Sequence, residues 1–227
     1  MIERTYLSKF STIVKGSNIN TGINPVAELV YGGHTSRILC YFDHNKIKNM
    51  VDNGIFPNID KLKHTLHITN AGSLDFTQLH TKEYSSIGSG IKKRATSFDV
   101  LFFLIPQEWD RGKGFDYSKT AFNENFYDTK NTHNASRLVS TDGSNWFQAK
   151  NGYNWKEEGV YSTDTLSLEY DKFSSEEGSN IIIGRQHFDI GNENISLDIT
   201  DVFNKFITGD LENYGIGIAF TPDFENV

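Results

Sequence analysis

The stretch SLDITDVFNKFITGDLENYGIGIAF, residues 196–220, contains one short amphipathic helix between two strands. Asp198 or Thr200 can cap the start of the helix, and Gly209 follows its last turn. One helical face collects the apolar side chains Val202, Phe203, Phe206 and Ile207. Because a helix of about nine residues is marginal in water by itself, we expect packing to hold it, as a lid over one open end of a β-sandwich core.

Most of the remaining sequence reads as short strands joined by polar turns. Asn, Ser, Thr, Gly and Asp are plentiful beside 17 Phe and 10 Tyr, a composition typical of β-rich domains. Residues 36–43 and 98–105 are apolar runs of the length expected for buried strands. The opening segment, residues 10–33, predicts two strands, the second ended by a Gly-Gly pair. We therefore predict one all-β domain over residues 1–227, in which residues 1–9 can form an N-terminal arm.

Composition argues against several classes of function. The formal net charge is −7 and the densest basic run is the KKR at residues 92–94, whereas nucleic-acid binding needs clustered Lys and Arg. No stretch approaches the ~18 apolar residues of a membrane span, and the N-terminus lacks the apolar core of a signal peptide. Cys40 is the one cysteine, so no internal disulfide can form, and its apolar setting predicts a core residue. We expect synthesis in a cytoplasm without a signal peptide, and no nucleic-acid or membrane partner.

The titratable residues form no pattern that predicts catalysis. The carboxylate pairs Glu108 with Asp110 and Glu157 with Glu158 fall in loop sequence rather than in or beside core strands. The histidines are scattered without Cys or carboxylate partners at ligand spacing, and no Gly-rich phosphate loop occurs. We therefore predict that the protein is not an enzyme and needs no cofactor.

The best candidate for a binding site is the long region of aromatic loops, residues 107–165. Aromatic faces next to amide and hydroxyl groups suit both sugars and protein partners. The expected anchors are Trp109, Trp146, Tyr153 and Trp155. The alternative is structural, in that these side chains pack the long loops onto the edge of the sandwich.

Six motifs follow one another in a recognisable order along residues 10–220. They are NINTGINPVAELVYGG, SRILCYFD, LHIT, EWDRGKGFD, SNWFQAKNGYNWKEEGVY and the opening stretch. In this order the chain resembles the DNRLRE-type β-sandwich domain, a jelly-roll module akin to carbohydrate-binding modules. One departure is Arg111, which stands before a glycine where the family more often has an acidic residue. The resemblance implies a jelly-roll β-sandwich in which the helix near residues 200–208 is the cap.

Domains of this type normally continue past the point corresponding to Phe220 into another loop and a closing strand. Here the sequence runs on only through TPDFENV. Three explanations stay open: the natural gene product is longer, the fold does without the strand, or a neighbouring chain supplies it. The third is attractive because an unpaired sheet edge invites strand addition.

Calcium is the one ion that this reading leaves open, since jelly-roll modules often carry an oxygen-lined calcium site. Four aspartates could contribute ligands: Asp43, Asp60, Asp198 and Asp201. The alternative for each is capping or turn formation, and no D-x-D-x-D loop is present.

The segments INP-x-x-EL-x-YGG and GIGIAF followed by P-x-F-E also resemble virion structural proteins of tailed bacteriophages, particularly the crAss-like group. This resemblance implies a non-enzymatic component of the neck, tail or capsid, located in the virion, which joins other virion proteins or further copies of itself. The alternative function is a carbohydrate-binding module or surface adhesin that recognises a polysaccharide through its tryptophan loops.

Overall fold

The secondary structure consists mainly of short antiparallel strands. The computed structural model describes residues 2–24, 26–30, 35–56, 58–71, 97–114, 140–161, 181–189, 191 and 193–225. The strands are β1 (Leu7–Val14), β2 (Ser36–Phe42), β3 (Thr65–Ile68), β4 (Phe98–Leu104), β5 (Gln148–Lys150), β6 (Tyr153–Asn154), β7 (Ile182–Phe188), β8 (Ile195–Asp198) and β9 (Ile216–Phe220). The helices are α1 (Asn45–Asp52), α2 (Thr200–Thr208) and α3 (Pro222–Glu225), with a 3-10 turn at Ile59–Lys61.

A five-stranded sheet in the order β1-β2-β9-β4-β7 forms the centre of the fold. Neighbouring strands are antiparallel throughout, and the ladders β3–β8 and β5–β6 form two smaller sheets. The predicted all-β class is therefore confirmed, and the described strands are consistent with a sandwich. The predicted strand at residues 98–105 is β4, one residue shorter at its end.

The central sheet is covered on both faces because its middle strands are apolar on both. In β4, Val100, Phe102 and Leu104 point to one face, while Leu101 and Phe103 point to the other. The first face packs against α1, α2 and the β3–β8 ladder and is called the helix-side core. The second packs against loop residues and is called the loop-side core.

Helix α2 spans the predicted residues and has the predicted apolar face, which packs on one face of the central sheet. Its four buried residues are Val202, Phe203, Phe206 and Ile207, all within the helix-side core. Gly209 ends it with a φ of 84°, a left-handed conformation that glycine adopts without steric cost. None of the helices in the described part of the chain is long and apolar enough to cross a membrane. Packing on the sheet thus accounts for a helix of nine residues.

The prediction of a second strand within residues 10–33 is wrong for residues 26–30, which form no strand. The physical reason is that side chains replace the strand ladder. The backbone N–H of Glu28 donates to Thr12 Oγ1 at 3.1 Å, and that of Val30 donates to Ser36 Oγ at 2.8 Å. Thr21 Oγ1 in turn accepts from the backbone N–H of Thr12 at 3.0 Å. Such bonds compete directly with ladder formation. The Gly-Gly pair lies outside the described residues.

Cys40 lies in the helix-side core, as predicted, with 3% of its surface exposed. Burial raises the pKa of its thiol to about 12. The thiol therefore stays protonated and behaves as a small apolar group rather than a nucleophile.

A buried ion pair connects the sheet to the last helix. Arg37 on β2 and Glu225 in α3 are each 2% exposed. The guanidinium Nε donates to Glu225 Oε1 at 2.9 Å and Nη2 donates to Oε2 at 2.6 Å, the two-pronged geometry that favours Arg at carboxylate sites. The backbone oxygen of Glu225 also accepts from Lys15 Nζ at 3.2 Å. Residue 225 is thereby held to the sheet by both its side chain and its backbone.

The same guanidinium fixes the end of the aromatic loops. Arg37 Nη1 donates to the backbone oxygens of Gly159 and Tyr161 at 2.5 and 2.9 Å, and the guanidinium Cζ lies 3.8 Å from the centroid of the Tyr161 ring. Between these two carbonyls, Val160 has a φ of 88°. A β-branched residue at positive φ is strained by about 1–3 kcal/mol. The bonds from Arg37 hold this strained turn in place.

We expect Glu225→Gln to lower the free energy of unfolding by about 3 kcal/mol, because removing one charge of a buried pair leaves the other without compensation. The substitution preserves side-chain size, so the loss reports the charge. Urea unfolding followed by circular dichroism measures it.

Asp52→Asn is the matched control. It removes the carboxylate of an exposed ion pair with Lys48 at 2.8 Å and should change the free energy of unfolding by less than about 0.5 kcal/mol. Equal effects of the two substitutions would contradict the role assigned to Glu225.

Candidate functional site

The three tryptophans of the aromatic loops lie in the loop-side core. Trp109 is fully buried, and Trp146 and Trp155 are 6% and 5% exposed. The indole N–H of Trp109 donates to the backbone oxygen of Tyr214 at 2.8 Å, and that of Trp155 donates to the backbone oxygen of Asn145 at 2.7 Å. A buried indole needs such an acceptor, so both rings are fixed. These three residues occupy the packing role that the sequence offered as the alternative to binding.

A buried asparagine ties three loop segments together. Asn20 is fully buried, and its Nδ2 donates to the backbone oxygens of Arg111 and Ser144 at 2.8 and 2.7 Å. Its Oδ1 accepts from the backbone N–H groups of Gly22 and Gly114 at 3.1 and 2.8 Å. The amide thus uses both donors and both acceptor positions, which is what a buried polar group requires. It positions Trp109 and Trp146 because their loops are fixed to it.

Close backbone approach around this asparagine explains two glycines. A Cβ added at Gly112, where φ is 76°, would lie 2.4 Å from Asn20 Oδ1 and 2.2 Å from the backbone oxygen of Asp142. A Cβ added at Gly143, where φ is 101°, would lie 2.4 Å from Gly112 Cα. Neither position can accept a side chain without moving the backbone.

Tyr153 is the predicted site residue that the structure places at the surface. It is 64% exposed and begins β6, directly after the turn of the β5–β6 hairpin. Lys150 Nζ lies 5.1 Å from the centroid of the Tyr153 ring and bonds to Glu108 Oε2 at 2.8 Å. The hydrogen bond lowers the pKa of Glu108 and raises the pKa of Lys150. The hairpin therefore displays an aromatic face beside an ion pair.

Backbone hydrogen bonds of the buried tryptophans, together with one from the Gln107 side chain, hold the hairpin in place. The backbone N–H of Trp155 donates to the backbone oxygen of Phe147 at 3.1 Å, and that of Gly159 donates to the backbone oxygen of Trp146 at 2.7 Å. Gln107 Nε2 donates to the backbone oxygen of Asn154 at 3.1 Å. The four predicted site residues thus divide by role: the tryptophans support the hairpin, and Tyr153 is presented by it.

A second polar cluster lies on the β4–β7 pair, where the sequence suggested no partner for a histidine. His187 stands opposite Asp99 in the strand register. Its Nδ1 is 3.0 Å from Asp99 Oδ1, and its Nε2 is 3.2 Å from Ser97 Oγ. This order of groups is that of an acyl-transfer triad. The sequence could not reveal it, because the three residues meet only through the strand register.

The surroundings of this cluster differ from those of a catalytic triad. Asp99 also accepts a hydrogen bond from Arg185, the main cause of the lowered pKa of its carboxyl, so it does not serve the histidine alone. A catalytic triad keeps its carboxylate buried and directed at its histidine. Here the cluster is open to water, since half of the His187 side chain is exposed and Ser97 is exposed. The cluster is therefore interpreted as a network of cross-strand polar contacts in which Asp99 on β4 pairs with Arg185 and His187 on β7.

Two of the aspartates considered for calcium, Asp43 and Asp198, form local turns just before helices, whereas the N-cap residues of those helices are His44 and Ile199. Asp43 Oδ1 accepts from the backbone N–H of Asn45 at 2.9 Å before α1, and Asp198 Oδ1 accepts from that of Thr200 at 2.9 Å before α2. Across the described ranges, no group of three or more His, Cys, Asp and Glu side chains is placed to hold a metal ion. A calcium site stays an untested prediction.

Asn20 and Arg37 were not predicted as organising residues. Their partners are far away in sequence: Asn20 bonds to residues 91 and 124 positions later, and Arg37 to one 188 positions later. The available signals were an arginine inside the apolar run SRILCYF and an asparagine among glycine-containing turns. Both signals mark a buried polar group without naming its partners.

No protein-family model, curated protein or solved structure matches this chain. The likeness to DNRLRE-type domains and to phage virion proteins accordingly rests on the sequence motifs alone. Function has to be argued from the chain's own surface.

Proposed function

We propose that this chain is a non-enzymatic structural subunit of a tailed bacteriophage particle, belonging to the neck, tail or capsid, and that its jelly-roll domain joins neighbouring subunits. The proposal rests on the sequence resemblance to virion proteins together with the division of labour among the aromatic residues. Most of the loop aromatics within the described ranges are buried in the core, and five of the eight exposed large apolar side chains of those ranges lie at the start of the chain or at the β5–β6 hairpin.

The observation that carries the proposal is the exposed segment before β1, residues 2–6, which we call the arm. Ile2 and Tyr6 are 89% and 78% exposed. With Leu7, which begins β1 and is 40% exposed, they form a local group of exposed apolar side chains, and such groups mark sites of protein contact. The arm leads into β1, which is at the edge of the central sheet in the described part of the chain. An arm continuing from an edge strand is well placed to contact a neighbouring subunit.

Two features support a non-enzymatic role. The Ser97–His187–Asp99 cluster is open to water and shares its carboxylate with Arg185. A partly open pocket between β1, the start of β2 and the loop that joins them, lined by Thr12, Thr21, Ser36 and neighbouring residues, has a volume of about 40 Å³, which suits water rather than a substrate.

Protein composition of purified particles tests the proposal. Particles of the phage that encodes this chain should contain it at a constant ratio to the major capsid protein through successive density gradients, because structural subunits copurify stoichiometrically. Quantitative mass spectrometry measures that ratio. A replication enzyme encoded by the same genome is the control, and it should disappear with purification. Loss of the chain alongside that control would reject the proposed function.

A second candidate function is polysaccharide recognition, and the exposed Tyr153 ring favours it. An aromatic face beside the Glu108–Lys150 ion pair can stack on a sugar ring and bond to its hydroxyls. The buried tryptophans cannot make this contact in the described conformation.

For this candidate, Tyr153→Ala should reduce binding on a glycan array at least about tenfold while leaving the fold intact, since the ring is largely exposed. Ile55→Ala is the control, because Ile55 is similarly exposed, at 54%, but follows α1 rather than the hairpin. Absence of any glycan signal, or equal binding by the two variants, would reject it.

A further inference from the structure

Exposed apolar side chains concentrate in two separate segments of the described chain. Eight large apolar side chains are exposed in the described residues. Three of them lie in the arm and at the first residue of β1, namely Ile2, Tyr6 and Leu7. Two more lie at the β5–β6 hairpin, namely Phe147, directly before β5, and Tyr153. Single exposed apolar groups need no explanation, but groups that gather at one place do.

The start of β1 and the hairpin lie at the same end of the central sheet. Lys9 Nζ donates to the backbone oxygen of Trp109 at 2.5 Å and lies 4.4 Å from the centroid of its ring. Next to Trp109, Glu108 bonds to Lys150, which lies over Tyr153. A continuous chain of contacts therefore runs from β1 to the hairpin. We call the region formed by the arm, Lys9, residues 108–110 and the hairpin the arm end.

Charges at the arm end largely compensate one another, although the whole chain has a formal net charge of −7. Glu108 pairs with Lys150, and Glu3 in the arm pairs with Lys46 on α1. Lys9 is attracted by Glu108 and by Asp110, although burial is the largest influence on its pKa and lowers it. Two copies of an acidic chain repel each other least where their charges are locally balanced. The arm end is such a region.

We infer that the arm end is an interface between two copies of this chain, in which the arm of each copy crosses the hairpin of the other. The inference rests on the proposed structural function and names the partner for it. Both halves of the contact lie on one end of the same molecule, so a two-fold axis can satisfy both at once, as in isologous dimers. Tyr6 and Tyr153 are the aromatic anchors, the residue type that dominates binding energy at such contacts.

The arm and the hairpin differ in how firmly their conformations are held, and this difference favours binding. The hairpin is preorganised by its bonds to the buried tryptophans, which reduces the entropy lost on association. The arm has no regular secondary structure and exposes Ile2, Arg4 and Tyr6 in alternation with the less exposed Glu3 and Thr5. Alternation of this kind is typical of an extended segment with one face available to a partner. Exposed Arg4 can stack on the partner's tyrosine or bond to its glutamate.

The test is site-specific photocrosslinking of the full chain. p-Benzoylphenylalanine replaces Tyr6, and unlabelled and nitrogen-15-labelled proteins are mixed before irradiation. We expect mixed-isotope crosslinks, which can form only between copies, to the tryptic peptide covering residues 151–156, which contains Tyr153. The same photoreactive residue at Asp189, whose side chain is 86% exposed at the end of β7, is the control and should give no such product.

A second variant keeps the result independent of the crosslinker. Tyr153→Ala should weaken self-association at least about tenfold in analytical ultracentrifugation, with an unchanged circular dichroism spectrum. The inference is overturned if mixed-isotope products are absent at about 100 μM chain, or if the Asp189 control gives them equally. It is also overturned if the photoreactive residue at position 6 crosslinks only to a different protein in intact particles. That last result would leave the proposed structural function standing, whereas absence of the chain from particles would remove the function itself.

Discussion

The buried guanidinium of Arg37 is the interaction on which the rest of the structure depends. It projects from the second strand of the central sheet, pairs with Glu225 near the end of the chain, and binds the two carbonyls that flank the strained Val160. A buried charge is tolerated only where it is paired and hydrogen-bonded. Each element it contacts is therefore constrained by the others: the sheet, the last helix and the end of the aromatic loops.

The loop-side core follows from this constraint together with the Asn20 amide. These two buried polar groups hold the loops against the sheet, and the tryptophans fill the space between loops and sheet with large apolar surfaces that stabilise the domain. The hairpin that carries Tyr153 stands on this packed layer. Structural tryptophans and a surface tyrosine are thus parts of one arrangement, in which the buried rings give a rigid base and the exposed ring is available for a partner.

Local patterns in the sequence predicted the elements that depend on neighbouring residues. The apolar face of α2, its terminating Gly209 and the strand β4 are all encoded within a few residues, so periodicity and turn chemistry were sufficient. The false strand at residues 26–30 shows where such reasoning fails: its pattern fits a strand, but the hydroxyls of Thr12 and Ser36 take the backbone donors.

The candidate site was predicted in part for the same reason. Its residues could be named because aromatic residues are frequent in the long loop region. Whether a ring faces the core or water, however, depends on partners that are distant in sequence. Trp109 is packed in the loop-side core, and its indole N–H finds an acceptor on Tyr214, 105 positions away, whereas Tyr153 is exposed because the hairpin turns it outward. Neither fact is contained in the local sequence.

Tryptophan fluorescence with acrylamide quenching tests the central claim most directly, namely that the loop tryptophans are buried in the loop-side core. The account predicts blue-shifted emission that acrylamide quenches weakly in the folded protein, and the usual red shift and strong quenching once urea unfolds it. Emission typical of water-exposed indole and strong quenching in the folded state would contradict it, because the aromatic loops would then be open to solvent and the tryptophans free to bind ligands.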